Sequence, residues 1–272
     1  MAKGNFELDG VSYPLAENNN GNHLHGGIQG FHAVVWDVTD KNDNTVEFTR
    51  ISPDMEEGYP GNLKVKVQYT LTDANELVMR YSAETDAPTV VNLTHHSFFN
   101  LKGEGEGDIL DHVLQINADY FTPVDAGSIP LGEIRPVVDT PYDFNSPKAI
   151  GARIEVEDAQ LQIGKGYDIN YVLNDTPLTN EGLVFAAKVT SPSTGRVMEV
   201  FTNEPGIQLY TGNYLDGTAI GKSGRPYLFR GAICLETQHF PDSPNKKDFP
   251  STVLRPGQTY GSSCIYKFST LP

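Results

Sequence analysis

Apolar and polar residues alternate along much of this chain. In the run Leu63-Lys64-Val65-Lys66-Val67-Gln68-Tyr69-Thr70-Leu71 nearly every odd position is apolar and every even one polar, the signature of a half-buried strand. Residues 76–83 repeat the pattern with Leu77, Met79 and Tyr81. The turn-like link Thr72-Asp73-Ala74-Asn75 makes the two runs a predicted hairpin. A second pair covers 183–189 and 196–202, joined by Ser191-Pro192-Ser193-Thr194-Gly195, and Cys264, Tyr266 and Phe268 alternate again near the end. Helical spacing shows only over 152–163, through Ile154 and Leu161. Val156 in that stretch is β-branched, so a short helix and a loop both stay open. The 26 Gly and 18 Pro point to many turns. Short strands between such turns predict one all-β domain over residues 1–272, a sandwich or a barrel.

Charge narrows the partners. The formal net charge is −15, and a field of that sign repels phosphate backbones and anionic membranes, which argues against nucleic-acid and membrane binding. Cys234 and Cys264 are the only cysteines, and neither stands in a CxxC or zinc-ligand spacing. Each reads as a small buried apolar residue. No apolar run is long enough to span a bilayer and no signal-type apolar segment stands at the start, so a cytoplasmic location is the default expectation.

Polar groups gathered on one face of a strand-like run mark candidate chemistry. Over residues 89–100 a period of two puts Asn92, Thr94, His96 and Phe98 on one face, with Val91, Leu93, His95 and Phe99 on the other. The first face suits a sugar; a structural histidine satisfied by a neighbour is the plainer reading. His23-Leu24-His25-Gly26-Gly27 follows an Asn-rich loop, where paired glycines let backbone approach a ligand closely. Two histidines in that spacing could ligate a metal, but no cysteine or carboxylate accompanies them at ligand spacing, and none is expected. Asp168 shares a predicted face with Asn170, and Gln208 with Tyr210; an exposed sheet edge is the bland alternative for both. Cys234-Leu235-Glu236-Thr237-Gln238 sets a carboxylate among apolar neighbours, where burial would raise its pKa and suit it as a general base; a surface glutamate at a strand end is the plainer reading.

Taken in order, these segments resemble the aldose 1-epimerase family. The stretches that carry the resemblance are Leu24-His25-Gly26-Gly27-x-x-Gly30-Phe31, Ser52-Pro53-Asp54-x-Glu56-Glu57-Gly58-Tyr59-Pro60-Gly61 and Asn92-Leu93-Thr94-x-His96-Ser97-x-Phe99-Asn100. Further on stand Gly166-Tyr167-Asp168-x-Asn170, Pro205-Gly206-x-Gln208-x-Tyr210, Cys234-Leu235-Glu236-Thr237-Gln238 and Leu254-Arg255-Pro256-Gly257. They span essentially the whole chain. The resemblance implies a large antiparallel β-sandwich (the galactose mutarotase-like supersandwich), a free aldose as substrate, and neither cofactor nor metal. By position it makes Glu236 the general base and His96 the general acid. It puts His25 beside the sugar ring and makes Asp168 and Gln208 sugar-binding residues.

Two departures from the family pattern stand out. His95 occupies a position where the family usually has Asn; alternation points it away from His96, toward the core or a neighbouring strand. The resemblance also implies several dozen further residues ahead of Ala2-Lys3-Gly4, ending in an Asn-Arg pair that contacts the sugar. A chain without them is expected to expose a strand edge, and so to pair with a second copy or to be less stable. It is also expected to bind sugar more weakly. The alternatives are therefore a weakly active or inactive sugar-binding fragment, an epimerase of phosphorylated hexoses, or a non-catalytic carbohydrate-binding module. The acidic balance speaks against the second, and the retained Glu236, His96 and His25 against the third.

Overall fold

A computed structural model describes residues 1–176, 178 and 182–272. They divide into two compact units, Met1–Leu93 with His239–Cys264, and Thr94–Gln238 with Ile265–Pro272.

In the first unit β1 (Asn5–Leu8) and β2 (Val11–Pro14) form a hairpin. An antiparallel meander follows, made of β3 (Asp37–Lys41), β4 (Thr45–Ser52), β5 (Leu63–Leu71) and β6 (Glu76–Thr85). The predicted hairpin is β5–β6, in register from Leu63 opposite Thr85 to Leu71 opposite Leu77. The odd positions of β5 are buried as far as Val67, while Leu71 at the turn end is exposed. Leu63 and Val65 join Ala83, Val91 and Leu254 in a buried cluster, while Lys64 points to solvent. The short β7 (Thr89–Val90) pairs with β17 (Val253–Leu254), where the chain returns to this unit late.

The second unit holds β8 (Val113–Ile116), β9 (Tyr120–Thr122), β10 (Arg135–Pro136), β11 (Lys148–Ala149), β12 (Asp168–Val172), β13 (Val184–Thr190), β14 (Arg196–Thr202), β15 (Gly206–Tyr210) and β16 (Cys234–Gln238). The hairpin predicted over 183–202 is β13–β14. Strands β10, β9, β12, β15 and β16 form, in that order, a five-stranded sheet with every pair antiparallel. One face of that sheet is apolar: Ile169, Tyr171, Ile207, Leu209 and Leu235 are all buried. The final strand β18 (Tyr260–Thr270) reaches this face, where Tyr266 donates its hydroxyl to the Leu235 carbonyl at 2.7 Å. The fold is all-β with large antiparallel sheets.

Two local expectations change. The helix is a single element, α1 (Ala159–Gly164), starting at Asp158, whose side chain accepts from the Gln160 and Leu161 amides. Residues upstream of that cap do not join it; β-branched Val156 is one of them. The strand-like run over 89–100 is a strand only at Thr89–Val90. Beyond it the chain stays extended but makes no regular ladder.

Candidate active site

The polar face of the five-stranded sheet follows from the period of two. Asp168 and Asn170 leave β12 on one side, Gln208 and Tyr210 leave β15, and Cys234, Glu236 and Gln238 leave β16. Register then sets these residues side by side. Asn170 stands opposite Gln208 and Thr122, and Gln208 opposite Glu236, so one row of polar side chains crosses four strands. Asp168, Tyr210 and Cys234 form the next row.

Hydrogen bonds fix the orientation of the amides. Gln208 Nε2 donates to Asp168 Oδ1 at 2.7 Å. Gln238 Nε2 donates to Gln208 Oε1 at 3.4 Å and to Asn170 Oδ1 at 3.3 Å. The start of β12 is held just as firmly. Gly166 has φ +144°, and a Cβ there would lie 2.4 Å from Asn213 Oδ1. That close approach lets Asn213 Nδ2 donate to the Gly164 and Tyr167 carbonyls, both at 2.8 Å.

His96 arrives on the extended segment that borders β16, the edge strand of its sheet. The attachment is made of single bonds. Thr94 Oγ1 donates to the Thr237 carbonyl at 2.8 Å, and Phe99 and Ile233 exchange backbone bonds. Alternation persists without a ladder. His96 faces β16 with its Nε2 3.6 Å from Glu236 Oε1, and its ring stacks on Phe98. His95 turns the other way, its ring centroid 5.9 Å from that of Tyr266.

Burial and charge set the protonation of the site. Burial, assisted by the neighbouring Asp168 charge, pushes the Glu236 carboxyl up to about 8. Burial also raises Asp168 to about 6, against the opposing pull of the Gln208 bond. The imidazole moves the other way: burial lowers His96 below its ordinary 6.5.

Of the five residues singled out in the sequence, His96, Asp168, Gln208 and Glu236 are neighbours on this sheet face. His25 belongs to the first unit, on an exposed loop with left-handed backbone, φ 54°. The histidine two residues before it is structural: His23 is buried, with Nε2 2.7 Å from the Tyr59 hydroxyl and Nδ1 2.9 Å from the Ala16 carbonyl. Gly27 makes room for a side chain of the protein itself, since a Cβ there would meet the Glu57 carboxylate that accepts from the Ile28 and Gln29 amides. Thr122, Gln238 and Cys234 also stand on this face, and sequence reasoning did not single them out. Gln238 and Cys234 were within reach, because each stands two residues from Glu236. A cavity of about 530 Å³ in the first unit, beside Val91, His239, Thr252 and Tyr260, has no carboxylate in its lining.

A β-sheet face bearing a raised carboxyl against an imidazole, among amides and a second carboxyl, has the make-up of an acid–base enzyme's site. The chain belongs to the aldose 1-epimerase family, whose sequence profile it matches over residues 1–267. It is 47% identical to the galactose mutarotase of Bos taurus over 269 residues, covering 99% of this chain and 75% of that protein. It is 38% identical to the aldose 1-epimerase of Escherichia coli strain K12 over 270 residues, 98% of this chain and 76% of that one. Among solved structures, the GalM/aldose epimerase homologue from C. elegans superposes with a TM-score of 0.90 at 30% identity, covering 100% of this chain and 80% of that one. The galactose 1-epimerase from Lactobacillus acidophilus gives 0.83, also at 30% identity, covering 99% and 76%. Family membership makes the chain an isomerase of aldoses.

Proposed function

We propose that this chain interconverts the α and β anomers of a free aldose such as galactose or glucose, with Glu236 as general base and His96 as general acid. The observation that carries the assignment of roles is the 3.6 Å approach of His96 Nε2 to Glu236 Oε1. The C1 hydroxyl and the ring oxygen are bonded to the same carbon, so the groups that serve them must be neighbours. Glu236 takes the proton of the C1 hydroxyl as the C1–O5 bond breaks, and His96 gives a proton to O5. The products are an aldehyde and a free hydroxyl. Rotation about C1–C2 followed by the reverse transfers closes the ring to either anomer.

The pair needs one proton between them. Glu236 raised and His96 lowered leave that proton on the carboxyl in the empty site at neutral pH. Ring opening starts from the form with the proton on Nε2 and ends with it on Glu236. The two forms carry the same total charge, so no proton has to come from solvent during turnover. Asp168 and Gln208 hold sugar hydroxyls, their mutual bond fixing which atoms they present. Residues 1–272 are read as one functional domain. Two carboxyls at the site disfavour a phosphorylated sugar.

Polarimetry of freshly dissolved α-galactose tests this reading. The chain should speed the approach to the anomeric equilibrium, and Glu236→Gln should lower kcat by roughly 10²–10⁴-fold. An unchanged rate in Glu236→Gln would overturn the assignment of the base, and a rate no faster than buffer would overturn the activity.

A further inference from the structure

We propose that His96, Cys234 and Glu236 form a binding site for a thiophilic divalent cation, Zn²⁺ or Cd²⁺, and that its occupancy stops the isomerase. Cys234 and Glu236 are two residues apart on β16, so they leave the strand on the same side. His96 closes over them from the bordering segment. One donor atom from each residue lies within 4.8 Å of the other two. Metal–ligand lengths near 2.0–2.3 Å place the donors of a tetrahedral zinc site roughly 3.3–3.7 Å apart. The Nε2–Oε1 distance of 3.6 Å already meets that, and the thiol needs to close by no more than about an ångström.

The donor chemistry fits. Thiolate, imidazole and carboxylate are the ligand types zinc prefers, and three of them leave a fourth position open to water or a sugar oxygen. One thiolate and one carboxylate cancel the charge of the ion. Asp168, whose charge is felt at Glu236, adds a further attraction for a cation. The His96 side chain is 33% exposed and gives the ion an entry, while Cys234 lies at the buried floor. Binding sheds a proton from the thiol and, where the carboxyl is protonated, a second from Glu236. Inhibition follows because the metal takes the lone pairs that the proposed acid and base need; that part rests on the function proposed above. Cys234 has no part in the proton transfers, which makes it the residue that separates the two activities.

Co²⁺ titration of chelator-treated protein, with and without excess galactose, provides the binding readout, and Zn²⁺ inhibition of mutarotation the functional one. The intact chain should show a sulfur-to-cobalt charge-transfer band that saturates at one equivalent and recedes when galactose is added. Cys234→Ala and Cys234→Ser should lose the band and need at least tenfold more Zn²⁺ for half-inhibition. Absence of the band in the folded intact chain, or equal Zn²⁺ sensitivity in the intact chain and both variants, overturns the proposal. If neither variant folds, the intact chain decides alone, since a band indifferent to galactose places the metal elsewhere. A band without any mutarotation in metal-free protein would overturn the activity and leave the metal site standing.

Discussion

Glu236 and His96 owe their chemistry to burial acting in opposite directions on an acid and a base. Burial penalises whichever form is charged, so it lifts the carboxyl to about 8 and lowers the imidazole. Catalysis through one shared proton then predicts a bell-shaped profile. The kcat/KM for galactose should hold between about pH 6.5 and 8, then fall roughly tenfold per pH unit above 8, where the pair loses its proton. It should fall again below about pH 6, as Asp168 takes up a proton. Stopped-time polarimetry across pH 5–9 measures both limbs. The same carboxyl opposes folding at neutral pH. The folded chain keeps this proton up to about pH 8, whereas an unfolded chain releases it near 4.5, so folding takes up a proton across that window. Stability therefore falls as pH rises through it. Glu236→Gln removes the effect: matched to the parent near pH 5, the variant should be more stable by on the order of 3–5 kcal/mol at pH 8 in denaturant unfolding. Alternation sets Glu236, His96, Asp168 and Gln208 on strand-like runs and leaves the plainer structural reading in front; the roles proposed for them come from the ordered family resemblance. His25 carried no such signal of its own, since a loop has no period from which a direction can be read.

At the scale of single elements, alternation proved the strongest signal, and β5–β6 match the predicted hairpin to within two residues at one end. Residues 91–98 show where pattern and ladder part company. Alternate side chains still turn opposite ways, His96 toward Glu236 and His95 toward Tyr266, but past the Val91 amide bond to the Thr252 carbonyl the segment is held by side-chain bonds such as those of Asn92 to the His239 backbone and of Thr94 Oγ1 to the Thr237 carbonyl. Composition shows an extended chain and is silent on whether a neighbouring backbone is there to pair with it. The α1 helix was half legible for a related reason: Ile154 and Leu161 are both buried, one before the helix and one in it, so the spacing reported burial and not helix. Gly166 offers a test of how strictly an element's start sets the site. Gly166→Ala drives a Cβ against Asn213 and puts a side chain at φ +144°. The variant should lose about 1–3 kcal/mol of stability and raise the KM for galactose, because the β12 entry that carries Asp168 must move. Thermal unfolding and initial rates on one preparation check both.

Over the whole molecule, a net charge of −15 surrounds a site built for an uncharged ligand. A free aldose feels no net force in that field, so its kcat/KM should stay flat from low salt to physiological ionic strength. A hexose phosphate would be repelled and would react faster as salt screens the field; stopped-time rates at two salt concentrations separate the two substrates. No helix among the described residues is long and apolar enough to cross a membrane. The segment that carries His96 has a consequence for the order in which function appears. Asp168, Gln208 and Glu236 lie on β12, β15 and β16, neighbours in one sheet whose chain connections, residues 173–205 and 211–233, are far shorter than the one that brings in the histidine. Thr94 and Thr237, the anchor of the histidine, are 143 residues apart in sequence. Closing a loop of that length is slow and depends on everything between being in place. Acid meets base only once that 143-residue loop has closed, and a refolding chain is catalytically silent until it has.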